Sequence, residues 1–405
     1  MKRLFLAAAA AAVVCGTFAE TKVGIIGLDT SHAIAFTKIM NVDKDPAVAG
    51  FRMVAAYQWG SRDIISSTNR YAKYIPQMQE MGVEIVPSID DLLAKVDVVC
   101  LETNDGREHL WQAEKVFASG KRVFIDKPLA HNLADALKIY EIGKKYNAQY
   151  FSSSALRFGN VAKAARAGEY GKIRGAALIS PSPLEEQGTH NYYTWYGIHG
   201  FEPLVAIMGM GVEKVSCFRN ETDDVINAVW KDGRMGELRL MRKSWIYSGY
   251  VLPEKPKDKK QPLIVFDGYQ GYQPLLKEII QFFKTGVAPV DKQETINIYA
   301  FMTAADMSRR EKGKSIKLEE AIEAAKEEKI LTVNIKTTAT SEVVWNDGSE
   351  EKTIEYEELH ELVENALEDY DTVRFILDNT ADIPFDTLQK IFNELSDAQL
   401  ANYIY

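Results

Sequence analysis

VGIIGLDTSHAIAF, residues 23–36, runs from an apolar strand pattern through a glycine into residues with helical spacing. A dinucleotide-binding unit has that order of strand, loop and helix, with the loop reading GxGxxG. Here it reads GLDTSH: Gly27 keeps the first glycine, Asp29 stands in the place of the second and His32 in that of the third. The second glycine lets backbone approach pyrophosphate, so Asp29 sets a carboxylate where like charges oppose each other. Thr30 and Ser31 are suited to cap the following helix and to offer an anion its first amides. The stretch predicts a nucleotide-binding fold and leaves open whether a nucleotide is bound.

Outward from this stretch, residues 22–148 alternate short apolar runs (VGIIG, FRMVAAY, VDVVCLE, RVFID) with helical patterns (FTKIMNV, IDDLLAKV, REHLWQAEKVFASG, NLADALKIYEIGKKY). Such alternation predicts a Rossmann-type doubly wound parallel sheet with its ligand at the carboxyl ends of the strands, a domain placed at 20–148. Residues 149–330 read as an α+β domain with a mainly antiparallel open sheet: KIRGAALIS, VEKVSCFR, DVINAVW, GELRLMRK and PLIVFDG are strand-like, and two helical patterns ending in glycine follow. LPEKPKDKKQ, 252–261, reads as a solvated loop and LEEAIEAAKEEK, 318–329, as a charged connecting helix. Residues 331–405 begin a small α/β domain with strands LTVNIK, EVVWNDG and TVRFILD, helices around YEELHELVENALE and FDTLQKIFNELS, and a last strand at NYIY.

The 405 residues are 46% hydrophobic, enough for more than one core. MKR, LFLAAAAAAVV and TFA at residues 1–19 match the three regions of a Sec-type signal cleaved after Ala19, which predicts an exported protein, periplasmic or secreted. The apolar run is shorter than the ~18–20 residues of a spanning helix. Cys15 follows Val14, a poor match to the small residue that precedes a lipidated cysteine. Without Lys2 and Arg3 the formal charge moves from −9 to −11, and from Val333 onward seventeen acids face four bases. No basic face remains for nucleic acid, which is not expected as a partner. Cys100 and Cys217, each in a strand-like run of a different segment, read as packing residues.

Five stretches in order resemble the Gfo/Idh/MocA oxidoreductase family: ETNDGREHLWQA with Asn104 and His109, GKRVFIDKPLA with Asp126, Lys127 and Pro128, SALRF with Arg157, GIHGFEPLVAIMG with His199, and YQPLLKEIIQFFKTGVAPV. The resemblance implies a Rossmann domain, a substrate domain with an open sheet, and hydride transfer between NAD(P) and a sugar, cyclitol or related alcohol. It places catalysis on Lys127 and His199, with Lys127 orienting the substrate oxygen and His199 taking its proton. It puts the cofactor against Gly27, Asp29, Thr30, Ser31, His32, Asn104, His109, Asp126, Lys127 and Pro128, and the substrate against Lys127, Arg157, Trp195 and His199. Trp195 stands where the family has an aspartate, and Glu202 replaces a common aspartate. After the second strand, AAYQWGSR offers Gln58, Ser61 and Arg62 instead of a ribose-binding acid, which points to NADP over NAD.

HNYYTWY, 190–196, offers aromatic faces to a sugar ring or to a partner surface. No ligand spacing supports a metal. The terminal segment is similar to the periplasmic domain of ExbD/TolR proteins in VVWNDGS, YEELHELVENAL and RFILDNTADIPFDTLQKIFNEL, without their transmembrane helix. That similarity implies a fold and a contact with an envelope protein. The expectation is an exported oxidoreductase that assembles as a homo-oligomer through its substrate-domain sheet. The alternative is a non-catalytic carbohydrate-binding or scaffold protein with a degenerate nucleotide site and no dinucleotide.

Overall fold

The computed structural model describes residues 20–61, 64–183, 190–191, 193–256, 259–337, 342–355, 358–370, 372–377 and 403–404. The export signal, Arg62 and the expected helix at FDTLQKIFNELS lie outside the described residues. Among the described residues, no helix is long and apolar enough to cross a membrane.

The first sheet holds β1 (Thr21–Ile26), β2 (Phe51–Tyr57), β3 (Glu84–Val86), β4 (Val98–Leu101), β5 (Arg122–Asp126) and β6 (Tyr150–Ser153) in the order β3–β2–β1–β4–β5–β6. Every neighbouring pair is parallel. The strands are short apolar runs because helices cover both faces, and the order reverses between β1 and β4, where such sheets open a crevice. The sequence reading omitted β3, β6 and the helix Ile65–Glu80. That helix is polar, contains Pro76 and leaves most of its residues to solvent, so it carries no clear apolar stripe.

The second sheet holds β7 (Ile173–Pro181), β8 (Val212–Arg219), β9 (Asp223–Trp230), β10 (Met235–Met241), β11 (Ser248–Pro253), β12 (Ile264–Val265) and β13 (Ile316–Lys317). Its order is β12–β11–β7–β10–β9–β8–β13, and β7–β10 is the parallel pair among antiparallel ones. Helices Ile198–Met208 and Lys292–Arg310 cover one face. Alternate residues such as Phe218, Met235 and Tyr250 remain exposed on the other. β11 takes Leu252 and Pro253 from the segment read as a loop, and PLIVFDG forms only the short β12. The helix Leu318–Glu327 is more than a connector: Leu318 and Ala321 are buried and it packs on Lys292–Arg310.

A third sheet holds β14 (Ile330–Thr337), β15 (Glu342–Asn346), β16 (Glu351–Glu355), β17 (Thr372–Leu377) and β18 (Tyr403–Ile404) in the order β16–β15–β14–β17–β18, with the helix Glu358–Asp369 between β16 and β17. Val333, Trp345, Leu359, Val363 and Val373 are buried.

The first two sheets share structure. Helix Gln273–Thr285 follows the second sheet but lays Leu276, Ile279 and Phe282 into the core with Val23, Phe124 and Phe151 of the first. The Tyr299 hydroxyl donates to Ala130 O at 3.0 Å and accepts from Ala130 N at 2.9 Å, fixing the segment after β5 to helix Lys292–Arg310. Glu202 accepts from Ser153 Oγ, Ser154 N and Arg157 Nε at 2.6, 2.8 and 2.7 Å, and Arg157 Nη1 reaches Glu294 at 2.6 Å. Arg157 and Glu202 are out of water, so neither charge is tolerable alone. Glu202→Ala is expected to lower stability by about 3 kcal/mol in denaturant unfolding, because it leaves a buried guanidinium with one of its two carboxylates.

Candidate active site

Gly27 ends β1 with φ +91, and a Cβ there would fall on the backbone of Thr103. The tight turn therefore requires glycine, as it does in a phosphate-binding loop. Two residues on, Asp29 is fully buried and accepts from Ser61 N at 2.9 Å and from Asn104 N at 3.0 Å. One carboxylate thus joins the loops after β1, β2 and β4. Burial pushes its pKa up to about 6, against the lowering effect of those two amides. The Asn104 side chain donates to Ser67 Oγ at 2.9 Å, and the Ser61 hydroxyl to Asp105, which Arg107 also grips. Thr30 does not cap the helix Ser31–Thr37, and its hydroxyl is buried with no hydrogen-bond partner. Ser31 instead meets the Tyr272 hydroxyl at 2.6 Å.

At the ends of β1, β4 and β5, His32, Glu102 and Asp126 converge. His32 Nδ1 lies 3.2 Å from Glu102 Oε2 and 3.1 Å from Asp126 Oδ2, and all three residues are buried. Burial alone would lower the His32 pKa, but the two carboxylates, Asp126 foremost, raise it to about 10. Burial and the charge of Asp126 push Glu102 up to about 8. Lys127 is next in the chain. Its Nζ sits 3.4 Å from Trp195 O and 5.5 Å from the centre of the Tyr196 ring. Burial lowers its pKa, opposed by Asp126.

His199 approaches the same Tyr196 ring, with centroids 4.9 Å apart, and its Nδ1 is 2.7 Å from Ser154 Oγ. Burial, reinforced by the charges of Lys127 and His32, holds it well below the usual histidine range, so it is neutral at physiological pH. Tyr247 and Trp245 extend the aromatic wall. Trp195 itself is buried, and its indole N–H has no hydrogen-bond partner.

Lys127, His199, His32, Asp126 and the Trp195 carbonyl therefore gather at the carboxyl ends of β1, β4 and β5. Other expected residues do not join them. Arg157 is turned into its ion pairs with Glu202 and Glu294, away from a substrate role, because a buried guanidinium needs both carboxylates. His109 spans Thr103 O at 2.7 Å and Leu129 O at 3.3 Å, holding two loops together rather than facing a ligand. Gln58 is exposed, and Ser61 is spent on Asp29 and Asp105. Of HNYYTWY, Tyr193 packs into the core on Phe201, leaving Tyr196 at the crevice. Sequence reasoning missed Glu102, Ser154 and Tyr272. Glu102 follows an apolar strand, and that position at the carboxyl end of β4 is the signal that would have found it.

Residues 21–154 match a family profile described as an oxidoreductase family with an NAD-binding Rossmann fold. Over these residues the chain is similar to the Gfo/Idh/MocA family. No curated protein matches the chain by sequence. Among solved structures, a probable dehydrogenase from Thermotoga maritima is 21% identical, covering 74% of this chain and 100% of its own, with TM-score 0.61. Scyllo-inositol dehydrogenase from Lactobacillus casei, with bound NAD(H) and scyllo-inositol, is 15% identical over 74% of this chain and 99% of its own, TM-score 0.58. Myo-inositol dehydrogenase from the same organism, with NAD(H) and myo-inositol, is 14% identical over 73% and 96%, TM-score 0.57. At these identities the likeness is one of fold.

Against the Rossmann fold of the matched profile, the residues fit a dinucleotide at one end only. Gly27 keeps the turn of a phosphate-binding loop, and the resemblance would put the Asp126–Lys127 segment at the reacting end. At the phosphate end, Asp29 already occupies the amides of Ser61 and Asn104 and opposes an anion. Asp105 lies there too, its charge paired with Arg107, and Arg70 Nη1 reaches the Asp29 carbonyl at 3.5 Å. Protonation of Asp29 removes one repelling charge, and its pKa of about 6 sets the range. Calorimetric NAD+ affinity is expected to rise as pH falls from about 8 to about 6, by at most ~10-fold per pH unit, and to level off below.

Proposed function

We propose that the chain is an NAD(P)-dependent oxidoreductase acting on a hydroxyl of a sugar, cyclitol or similar polyol, and that residues 1–19 direct it out of the cytoplasm. The observation that carries the reading is that Lys127 and His199, from different parts of the chain, flank one Tyr196 ring beside the carboxyl ends of the first sheet. When bound, the dinucleotide accepts or returns a hydride. The Lys127 ammonium attracts the substrate oxygen and stabilises the charge that develops on it. In the tautomer that carries its proton on Nδ1, His199 donates to Ser154 Oγ, which also accepts from Leu156 N at 3.2 Å, and Nε2 keeps a lone pair for the hydroxyl proton. Tyr196 and the half-exposed Trp245 offer apolar faces to ring C–H groups, and the unpartnered Trp195 N–H suits a further hydroxyl.

Asp29 favours a second reading, in which the same fold holds a polyol without redox chemistry, because its carboxylate does internally what a phosphate would do for the loops. Turnover with NAD+ or NADP+ and a panel of inositols and sugar acids separates the two. Under the first reading Lys127→Ala and His199→Asn each lower turnover by ~100-fold or more, with little change in stability for the lysine variant. The acid limb of the wild-type profile lies below the usual histidine pKa of about 6.5, since His199 stays neutral there. If neither the wild type nor Asp29→Gly binds either dinucleotide in calorimetry, the second reading replaces the first.

A further inference from the structure

His32, Glu102 and Asp126 are more than a set of charges in a cleft. We propose that they form a binding site for one divalent first-row metal ion, Zn2+ or Mn2+, with His32 Nδ1 and one oxygen from each carboxylate as ligands. The three ligand atoms come from different points of the sheet: Glu102 follows β4, Asp126 ends β5, and His32 lies in the first turn of the helix after β1. They lie within 4.8 Å of one another. The two nitrogen–oxygen separations, 3.2 and 3.1 Å, fall in the range of about 3.0–3.4 Å that separates adjacent ligands of an ion bound at about 2.1 Å.

The hydrogen-bond inventory points the same way. Asp126 Oδ1 is taken by the Lys127 amide at 2.7 Å, which leaves Oδ2 to face His32. Glu102 Oε1 and Asp126 Oδ2 are both buried atoms without a hydrogen-bond partner. His32 Nδ1 carries at most one proton, yet two carboxylate oxygens face it at nearly equal distance. A single N–H cannot serve both well, whereas a cation at their centre engages all three groups. One imidazole and two carboxylates on rigid elements leave coordination positions for water or a substrate oxygen, the arrangement of a reactive rather than a purely structural site. The mixed nitrogen and oxygen donors favour Zn2+ or Mn2+ over Mg2+ or Ca2+, which take oxygen alone. The ion would lie in the crevice that Lys127 and His199 also line, where it would polarise a bound hydroxyl or carbonyl. The assignment does not depend on whether a dinucleotide binds.

The full mature chain, stripped with chelator and dialysed, is titrated with Zn2+ or Mn2+ alone, and bound metal is counted by elemental analysis beside calorimetry. The expected result is about one ion per chain, with affinity reduced by more than ~100-fold in Glu102→Gln and in Asp126→Asn, and with acids on the surface replaced to no effect. Circular dichroism of each sample reports the fold, and the wild-type stoichiometry decides the matter even if a variant fails to fold. Wild-type protein that is folded and takes up neither ion at stoichiometric concentration overturns the site and leaves His32 as an imidazolium between two carboxylates. Undiminished uptake by both folded variants overturns it equally.

Discussion

The carboxylate of Asp29 ties together three loops that the sheet alone would leave independent. It is shut away from water, and its two oxygens take the backbone N–H of Ser61 and of Asn104. In a dinucleotide-binding unit the comparable loops converge on a phosphate. Here the chain supplies the anion. Neighbouring residues follow from that substitution: a Cβ at Gly60 would stand 3.0 Å from Asp29 Cβ, and Asn104, held by its amide, turns its side chain to Ser67 on the helix after β2. Asp105 and Arg107 then complete a buried polar layer beneath the crevice. A loop set satisfied by its own side chain is organised before any ligand arrives.

Two histidines a short way apart are driven in opposite directions. With no ion between them, the carboxylates hold His32 as a cation, while His199, half-buried near Lys127 and His32, is held neutral. Desolvation lowers both; the two carboxylates overturn it at His32, while at His199 the charges of Lys127 and His32 only reinforce it. A site that needs one fixed positive charge and one free lone pair gains both from a single arrangement.

The apolar rhythm of VGIIG, VDVVCLE and RVFID was enough to foretell the parallel sheet, since strands buried on two faces must be apolar throughout. DKPLA and GIHGFEP single out Lys127 and His199 through the resemblance they carry, and the two side chains flank one Tyr196 ring. What stayed hidden depended on long-range partners. Arg157 read as a ligand residue, but its role is fixed by Glu202 and Glu294, 45 and 137 positions away. His109 read as a cleft residue, and only the return of the chain at Leu129 shows it to be a brace. Glu102 looked like the polar end of a strand, and its meaning appears once β1 and β5 stand on either side of β4.

The pair of hydrogen bonds between the Tyr299 hydroxyl and the amide and carbonyl of Ala130 bears on how the crevice changes shape. Ala130 lies three residues beyond Lys127, and Tyr299 sits on the long helix behind the second sheet. The lysine is thus anchored to the half of the molecule that carries His199. A hinge that swung the two halves apart would have to break both bonds in a buried setting, so the distance between the two groups is insulated from such motion. Adjustment to a bound molecule falls instead to the side chains of the aromatic wall, which turn without moving the frame.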